Sequence, residues 1–299
     1  MLTDKFLEYL QSERNCSPLT VKSYGEDLRR LETFFKGMDE DICWETLDTD
    51  IIREWMIDML EKEGLTANAV SRKLSAVRTF YHYLLRTDKV VADPTARVKR
   101  PKKSKPLPYF LKEKEMDQLL DETSFEHSFR GQRDRLILLL FYTTGMRIAE
   151  LTALNDRDVD FSARLIKVTG KRDKQRLIPF HHELEEEMRT YLAIRTAEFD
   201  SHSDGAFLLS TRGRRISRRS VEYIVHEQLS KTTAIAKRSP HVLRHTFATN
   251  MLNNGADLVA IKNLLGHESL STTEVYTHTS FEELRKTYQQ SHPRTQPKK

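Results

Sequence analysis

Apolar residues recur at the spacing of an α-helix along the first hundred residues of the chain. The clearest stripe follows Ser17-Pro18, a pair typical of a helix start because serine caps the first turn and proline lacks an amide hydrogen that this turn would leave unpaired. Its apolar members are Val21, Tyr24, Leu28, Leu31, Phe34 and Phe35. Similar stripes predict helices over residues 3–10, 50–63 and 66–85. In the third of these four helices, the residues expected to face the core are Ile51, Trp55, Ile57 and Leu60.

The pattern changes between residues 97 and 110, where the stretch from Arg97 to Lys105 is nearly all positive and Pro101, Pro106 and Pro108 interrupt the chain. Further on, two short apolar runs flank the charged tip Gly170-Lys171-Arg172-Asp173-Lys174, an arrangement typical of a β-hairpin. The helices predicted around it cover residues 114–122 and 132–143 and resume at His182, Arg218 and Ser239. The sequence therefore predicts a mainly α chain with a small β-hairpin or sheet in its second domain. The predicted parts are a helical domain (1–96), a basic, proline-containing linker (97–110) and a second domain (111–299).

Composition excludes several classes of protein. The chain of 299 residues is 38% hydrophobic and 31% charged, enough for a buried core and a polar surface. The apolar run from Leu136 to Tyr142 is too short to cross a bilayer, and the first residues lack the pattern of a signal peptide. Cys16 and Cys43 are too few for a disulfide framework or a zinc ribbon. We therefore expect a cytoplasmic protein without a membrane segment.

Positive charge is concentrated in two places. A net charge of +5 is by itself a weak indication of a nucleic-acid partner, since many unrelated enzymes share it. The candidate DNA contacts of the linker are Lys99, Arg100, Lys102 and Lys103. Those on the polar face of the fourth helix are Asn68, Ser71, Arg72, Lys73 and Arg78. Both groups have two interpretations, a solvated surface or contact with DNA phosphates and base edges.

The segment Ser239-Pro240-His241-Val242-Leu243-Arg244 carries the most local information about chemistry. Ser239 is a natural N-cap and Pro240 suits the first helical position. His241 and Arg244 then lie three residues apart on one face of the first turns, where free amide hydrogens and the helix dipole attract an anion. The alternative is a packed histidine beside an arginine that pairs with a surface carboxylate.

Spacing excludes three common catalytic motifs. His241 and His245 are four residues apart, as in a zinc protease helix, but Val242 stands where the catalytic glutamate must be. Gly170-Lys171 resembles the end of a phosphate-binding loop, but Leu165 replaces its first glycine. The chain contains no Gly-x-Ser-x-Gly sequence. We therefore expect no metal and no other cofactor.

Several segments together resemble the tyrosine recombinase (phage integrase) family, and more narrowly its bacterial Xer-type branch. They are TGMRIAEL, VTGKRDKQRLIPF, SPHVLRHTFATNML and IKNLLGHESLSTTEVYTH, in the order and spacing of the family. Two earlier segments, SPLTVKSYGEDLRRL and ANAVSRKLSAVRTFYHYL, resemble the family's core-binding domain. The resemblance implies a two-domain DNA clamp, in which a helical core-binding domain precedes an α+β catalytic domain. One departure is Arg172, where the family usually has a second glycine after the hairpin lysine.

The resemblance implies a phosphate pocket built from five of the motif residues. Arg147 and Arg244 would hold the scissile phosphate, and His241 and His267 would complete the pocket. Glu150, one helical turn after Arg147, would orient that arginine rather than react.

Two further residues would carry out the chemistry that the resemblance implies. Tyr276 would be the nucleophile that forms a 3′-phosphotyrosyl intermediate. Lys171, at the hairpin tip, would be the general acid for the leaving 5′ oxygen.

The resemblance also implies partners and a biological role. The partner would be double-stranded DNA with a specific target site, bound by a tetramer of this chain or of this chain and a sister recombinase. The compact length favours resolution of chromosome or plasmid dimers, with a cell-division DNA translocase as a further partner and a location at the nucleoid. Integration of a mobile element is the alternative.

Two other classes of protein compete with a recombinase. A DNA-binding regulator without catalysis is disfavoured because every catalytic position is filled. A type IB-like topoisomerase is disfavoured by the helical DNA-facing domain. After the predicted nucleophile, Phe281, Leu284 and Tyr288 form an apolar stripe. This stripe could either dock on a neighbouring protomer or pack on its own domain.

Overall fold

The computed structural model describes residues 1–102, 109–121, 125–170, 173–199, 205–232, 238–266 and 278–295, without the side chains of residues 232 and 278–283. The chain divides into two compact units, Met1–Pro106 and Leu107–Lys299, and the boundary falls within the predicted linker. Val98 is buried in the core of the first unit. The beginning of the predicted linker therefore packs as part of that unit.

The described helices of the first unit are α1 (Leu2–Ser12), α2 (Pro18–Met38), α3 (Thr49–Glu61) and α4 (Ala67–Arg86). They confirm the four predicted helices, with small differences at the ends. The last three begin at side-chain caps. The Ser17 hydroxyl accepts from the amide of Thr20 at 3.2 Å, and Asp48 and Thr66 cap α3 and α4 in the same way. Because caps of this kind are local, the starts of these helices follow from short stretches of sequence.

The buried face of α3 differs from the predicted one. Its buried residues are Ile52, Trp55, Met56 and Met59. Ile57 is 50% exposed, so the prediction that it faces the core is wrong. Positions i, i+3, i+4 and i+7 share one face of a helix, whereas the predicted set combined residues from two neighbouring faces. Ile51 and Leu60 pack at the edge of the core, and Trp55 lies at its centre.

The described helices of the second unit are α5 (Glu113–Leu119), α6 (Phe129–Thr144), α7 (Ile148–Ala153), α8 (His182–Glu198), α9 (Arg218–Thr232), α10 (Pro240–Asn253), α11 (Leu258–Leu265) and α12 (His278–Ser291). Helix α6 is buried along nearly its whole length and packs against α8 and α10. Among the described residues, no helix combines the length and the apolar character needed to span a membrane.

Strands β1 (Val159–Asp160), β2 (Leu165–Thr169) and β3 (Gln175–Pro179) form an antiparallel sheet in that order. β2 and β3 are the predicted hairpin. Ile166 pairs with Ile178 and both are fully buried, so this face of the hairpin packs on the core. The amide of Gly170 donates to the carbonyl oxygen of Lys174 at 2.8 Å, which closes the base of the tip.

Helix α12 completes a second apolar core, together with α10 and α11. Leu284 and Tyr288 are 7% and 1% exposed and belong to the same cluster as Phe247 and Leu264. In this single chain the apolar stripe of α12 therefore packs on its own unit, which was one of the two interpretations of the sequence. Phe281 lies outside the side chains that the structure describes.

Candidate active site

The residues with predicted catalytic roles divide into two groups. Those that the structure describes are Arg147, Glu150, His241 and Arg244. Those outside the described residues are Lys171, His267 and Tyr276. The described residues therefore belong to the predicted phosphate pocket, and the roles of the second group stay predictions.

A glycine turn between α6 and α7 sets the position of Arg147. Gly145 ends α6 with a φ of 58°, a left-handed conformation that glycine adopts without strain. A Cβ at this position would lie 2.5 Å from the Phe247 ring and 2.8 Å from Leu265. A side chain therefore does not fit here, and Arg147 follows as the N-cap residue of α7.

Glu150 holds Arg147 through both its backbone and its side chain. The amide of Arg147 donates to Oε2 of Glu150 at 2.7 Å, the reciprocal bond of a helix start. Nη1 of Arg147 donates to Oε1 at 2.9 Å, and Nη2 donates to the carbonyl oxygen of Gly266 at 2.9 Å. The Arg147 side chain is still 39% exposed. The Arg147 side chain is therefore partly accessible from solution.

Arg244 is fixed more deeply, with only 9% of the residue exposed. Nη1 donates to the carbonyl oxygen of Gly145, and Nη2 donates to that of Leu265 at 2.7 Å. Burial, followed by repulsion from Arg147, lowers the pKa of Arg244 to about 10. The guanidinium therefore still carries its positive charge at neutral pH, in an orientation set by two carbonyl groups.

Three arginines converge on the C-terminal end of α11. A helix leaves its last carbonyl oxygens without backbone partners and with partial negative charge. Here, three consecutive carbonyl oxygens each accept from a different arginine. Leu264 accepts from Arg176 at 2.8 Å, Leu265 from Arg244 and Gly266 from Arg147. Gly266, the residue before the predicted His267, is thus bound to Arg147.

Glu150 is also bound by Arg176, a residue for which the sequence analysis gave no role. Nη1 and Nη2 of Arg176 donate to its two carboxylate oxygens at 2.8 and 2.9 Å, and Glu150 is 3% exposed. Burial favours a higher pKa for Glu150, but the bonds from Arg176 and then from Arg147 outweigh it, so this pKa is lowered. The three guanidiniums of this arginine cluster, those of Arg147, Arg176 and Arg244, together with the ionised Glu150 carboxylate, give the cluster a net charge of +2. Within the described ranges, no group of three or more His, Cys, Asp or Glu side chains could hold a metal ion, and this cluster is suited to an anion.

The alternation of β3 contained a signal for Arg176. Residues two apart in a strand face the same side of the sheet. Ile178 is fully buried, and Val168, which pairs with Arg176 on β2, is buried as well. A charged residue at a core-facing position needs a charged or polar partner. The sequence therefore indicates a buried partner for Arg176, although it does not identify Glu150.

His241 lies one helical turn before Arg244, at the N-terminal end of α10. Its side chain is exposed, whereas that of Arg244 is buried. His241 lines a cleft of about 340 Å³ together with Ile148, the residue that follows Arg147. His241 is therefore close to the start of α7, which carries Arg147.

The start of α10 confirms one prediction and corrects another. Pro240 is the first helical residue and Ser239 is the N-cap, as predicted. The predicted side-chain cap is wrong, since the amide of Val242 donates to the backbone carbonyl of Ser239 at 2.9 Å. The buried Ser239 hydroxyl has no hydrogen-bond partner in the described part of the chain.

On α4, several of the predicted DNA contacts have partners inside the first unit. Nζ of Lys73 donates to Asp27, which is 1% exposed, at 2.7 Å. Arg72 also reaches Asp27, but its side chain stays 51% exposed, and Arg78 donates to backbone carbonyls. Ser71 is 2% exposed because its position falls on the packed face of α4. The prediction that Ser71 lies on the polar face is therefore wrong.

The remaining candidate DNA contacts are exposed where the structure describes them. These are Asn68, Lys99, Arg100 and Lys102. Lys103 lies outside the described residues. Exposure leaves these side chains available to DNA, and their contact with it stays a prediction.

Comparison with known proteins identifies the family to which the chain belongs. The chain matches the Phage integrase family over residues 109–283, and Phage integrase, N-terminal SAM-like domain, over residues 3–88. It is 40% identical to tyrosine recombinase XerC of Bacillus pumilus, over 98% of this chain and 96% of that protein. It is 39% identical to XerC of Pelotomaculum thermopropionicum, over 97% of each. The crystal structure of XerH site-specific recombinase bound to palindromic difH substrate, at 20% identity, shares the fold with a TM-score of 0.69 over 96% of this chain and 84% of that one.

The family match covers more than half of the chain, which therefore belongs to the phage integrase family. Identity to XerC proteins over nearly the full length specifies the branch. The chain is a Xer-type, site-specific tyrosine recombinase, an enzyme that cleaves and rejoins DNA. The predictions of family, fold class and type of enzyme are confirmed.

Proposed function

We propose that Arg147, which Glu150 holds in place, and Arg244 bind the scissile phosphate of the DNA target. The observation that supports this role is the net charge of +2 in a partly exposed arginine cluster. A phosphodiester carries a full negative charge, and further charge develops on its nonbridging oxygens during attack. Two guanidiniums supply planar, permanently charged donors for these oxygens. His241 and His267 would complete the pocket.

Tyr276 would be the nucleophile of this reaction and Lys171 its general acid. The Tyr276 oxygen attacks phosphorus and forms a 3′-phosphotyrosyl bond, while the bond from phosphorus to the 5′ oxygen breaks. The phenol, with a reference pKa of about 10, loses its proton during the attack, and neutral His241 would accept it. The leaving 5′ oxygen takes a proton from Lys171. Because the new phosphodiester conserves the energy of the broken one, attack by a 5′ hydroxyl can rejoin a strand without nucleotide hydrolysis.

The reaction would take place at specific sites on two DNA duplexes. Exchange of both strands requires four cuts and therefore four active sites, supplied by a tetramer of this chain or of this chain with a sister recombinase. Similarity to XerC proteins supports resolution of chromosome or plasmid dimers over integration of a mobile element. In that role the enzyme would act at the nucleoid, with a cell-division DNA translocase as a further partner.

Contacts with DNA outside the pocket would come from the first unit and from the predicted linker. Asn68 and Arg72 are exposed on α4, and Lys99, Arg100 and Lys102 are exposed after it. Cations that bind phosphates release counterions from DNA. Binding of the target should therefore weaken steeply as the salt concentration rises.

An uncharged scissile phosphate tests the role of the arginines. The substrate is a nicked duplex whose target sequence is identified by sequencing the DNA that the protein binds in cells. Arg244→Ala should cleave it on the order of 10²–10³-fold more slowly than the wild type, because the nonbridging charge loses a donor. A methylphosphonate at the scissile position lacks that charge, so most of the deficit should disappear.

The matched control is Arg189→Ala, which removes an exposed arginine of α8. It should cleave both substrates at the wild-type rate. A deficit of Arg244→Ala that is equally large on both substrates would contradict the proposed role in binding the phosphate charge.

A further inference from the structure

Arg176 contacts two elements of the predicted active site and lies on a third. It belongs to β3, the strand that follows the hairpin tip with the predicted Lys171. Its Nη atoms bind Glu150 on α7, and its Nε donates to the carbonyl oxygen of Leu264 at the end of α11. The Arg176 side chain is only 10% exposed. Arg176 is thus an internal connection between elements rather than a surface cation.

This connection uses the shape of an arginine side chain. The planar guanidinium places two N–H groups on the two oxygens of Glu150 and a third on Leu264. A lysine ammonium is a single point and cannot span the same acceptors. Gly266 permits the close approach, since a Cβ there would lie 3.2 Å from Nη1 of Arg176.

Arg176 also balances the buried charge of Glu150. Without it, burial would favour the protonated carboxyl group. A protonated Glu150 would lose its ion pair with Arg147, although the partly exposed Arg147 would keep its bond to Gly266. Loss of Arg176 should therefore misplace Arg147 without removing it.

We propose that Arg176 is a positioning residue for DNA cleavage, which fixes Glu150, and through it Arg147, against the end of α11. The inference rests on the proposed function of Arg147 as a phosphate ligand. Arg176 itself is covered and does not need to touch DNA. Its loss should therefore slow cleavage and leave the affinity for DNA nearly unchanged.

The test compares Arg176→Ala with Lys174→Ala, which removes one positive charge from an exposed position of the same hairpin. With the nicked target duplex at saturating concentration, Arg176→Ala should cleave about 10²-fold more slowly, the effect expected of a small misplacement of a group that acts on the substrate. Lys174→Ala should cleave at the wild-type rate. Ethylguanidinium added to Arg176→Ala should restore much of the rate, whereas ethylammonium should not, because only the planar ion can bind both oxygens of Glu150.

Equal rates for Arg176→Ala and Lys174→Ala would overturn the proposal. A slow Arg176→Ala with the wild-type melting temperature that ethylguanidinium does not rescue would overturn it as well. If the alanine variant does not fold, Arg176→Lys replaces it. Slow cleavage with unchanged DNA affinity would then support positioning, and a wild-type rate would reject it.

Arg147→Ala, measured in parallel, separates this inference from the function on which it rests. A wild-type rate for Arg147→Ala would show that the proposed function of Arg147 is wrong. A slow Arg147→Ala together with a fast Arg176→Ala would reject only the role of Arg176.

Discussion

Each arginine of the cluster around Glu150 donates to at least two acceptors of the protein. Arg147 binds Glu150 and Gly266, Arg244 binds two backbone carbonyls, and Arg176 binds Glu150 and a third carbonyl. A guanidinium has five N–H donors in one plane. Arg147 can therefore be held by the protein and still offer donors to a phosphate. A lysine would keep the charge but lose this combination.

The role of Lys171 as general acid can be tested by changing the leaving group. An alkoxide leaves slowly unless it is protonated, so Lys171→Ala should cleave ordinary DNA ~10²–10⁴-fold more slowly than the wild type. A thiolate leaves readily without a proton. With sulfur in place of the bridging 5′ oxygen, most of the deficit should therefore disappear when cleavage rates are compared.

Two controls belong to this prediction. Arg244→Ala should not be rescued by the bridging sulfur, because the arginine acts on nonbridging charge. Lys174→Ala tests the alternative that Lys171 is one cation among several at the tip. Similar behaviour of the two lysine variants, or a Lys171→Ala deficit that is equal on both substrates, would contradict general acid catalysis by Lys171.

The family resemblance implied the contact between Arg147 and Glu150, but not the contribution of Arg176. Arg147 and Glu150 are three residues apart at a helix start, so their contact follows from local geometry. Arg176 meets Glu150 across 26 positions of sequence. Its role depends on how the hairpin packs against α7. A single sequence gives the buried face of a strand, but not the partner on the other side.

The same division between local and long-range information applies to helices. The starts of α2, α3 and α4 were predictable because each cap involves neighbouring residues. The buried face of α3 was only partly predictable, since Ile57 is apolar but exposed. The packing of α12 on its own unit could not be decided from its apolar stripe, because a stripe does not identify what covers it.

The contact between the end of α12 and the rest of its unit includes a buried histidine. His292 is fully buried, stacked on Tyr288, and its Nδ1 accepts from the amide of Arg294 at 3.2 Å. Burial, followed by repulsion from His181, lowers the pKa of His292 to about 3. Burial also lowers the pKa of His181 to about 4. Both side chains are therefore neutral in the folded protein at neutral pH.

These lowered pKa values predict a loss of stability in acid. Below the ordinary pKa of about 6.5, the unfolded chain binds a proton at His292 that the folded chain does not bind until pH falls to about 3. The free energy of unfolding should therefore decrease as pH falls from 6.5 towards 3. His292→Phe keeps an aromatic ring but removes this proton. Between pH 6 and 5, the unfolding free energy of the variant should fall less steeply than that of the wild type. The two slopes should differ by about 1 kcal/mol per pH unit.

Urea unfolding, monitored by circular dichroism at several pH values, measures how the unfolding free energy changes with pH. The chain offers an internal control, because its two tryptophans, Trp44 and Trp55, both lie in the first unit. The unfolding transition seen by tryptophan fluorescence, which reports on the first unit, should therefore have the same pH dependence in the wild type and in His292→Phe. Equal slopes for wild type and His292→Phe in the transition of the second unit would contradict the neutral, buried state of His292.

The molecule as a whole consists of two units that each have a core of their own. The second unit contains the arginine cluster, and the first unit presents exposed polar and basic residues on α4. Membership in the phage integrase family extends over both units. Cleavage at a specific site should therefore need the whole chain, with recognition spread over both units and chemistry confined to the second.

The proposed function requires this recombinase to cut DNA by forming a covalent bond between Tyr276 and the 3′ phosphate. A nicked target duplex traps this product, because the short 5′-hydroxyl strand diffuses away after cleavage. Tryptic digestion places Tyr276 in the peptide of residues 263–285 as its only tyrosine. If Tyr276 is the nucleophile, mass spectrometry should find the nucleotide on this peptide, and Tyr276→Phe should bind the duplex normally but form no adduct. An adduct on another residue, or one that persists in Tyr276→Phe, would show that Tyr276 is not the nucleophile.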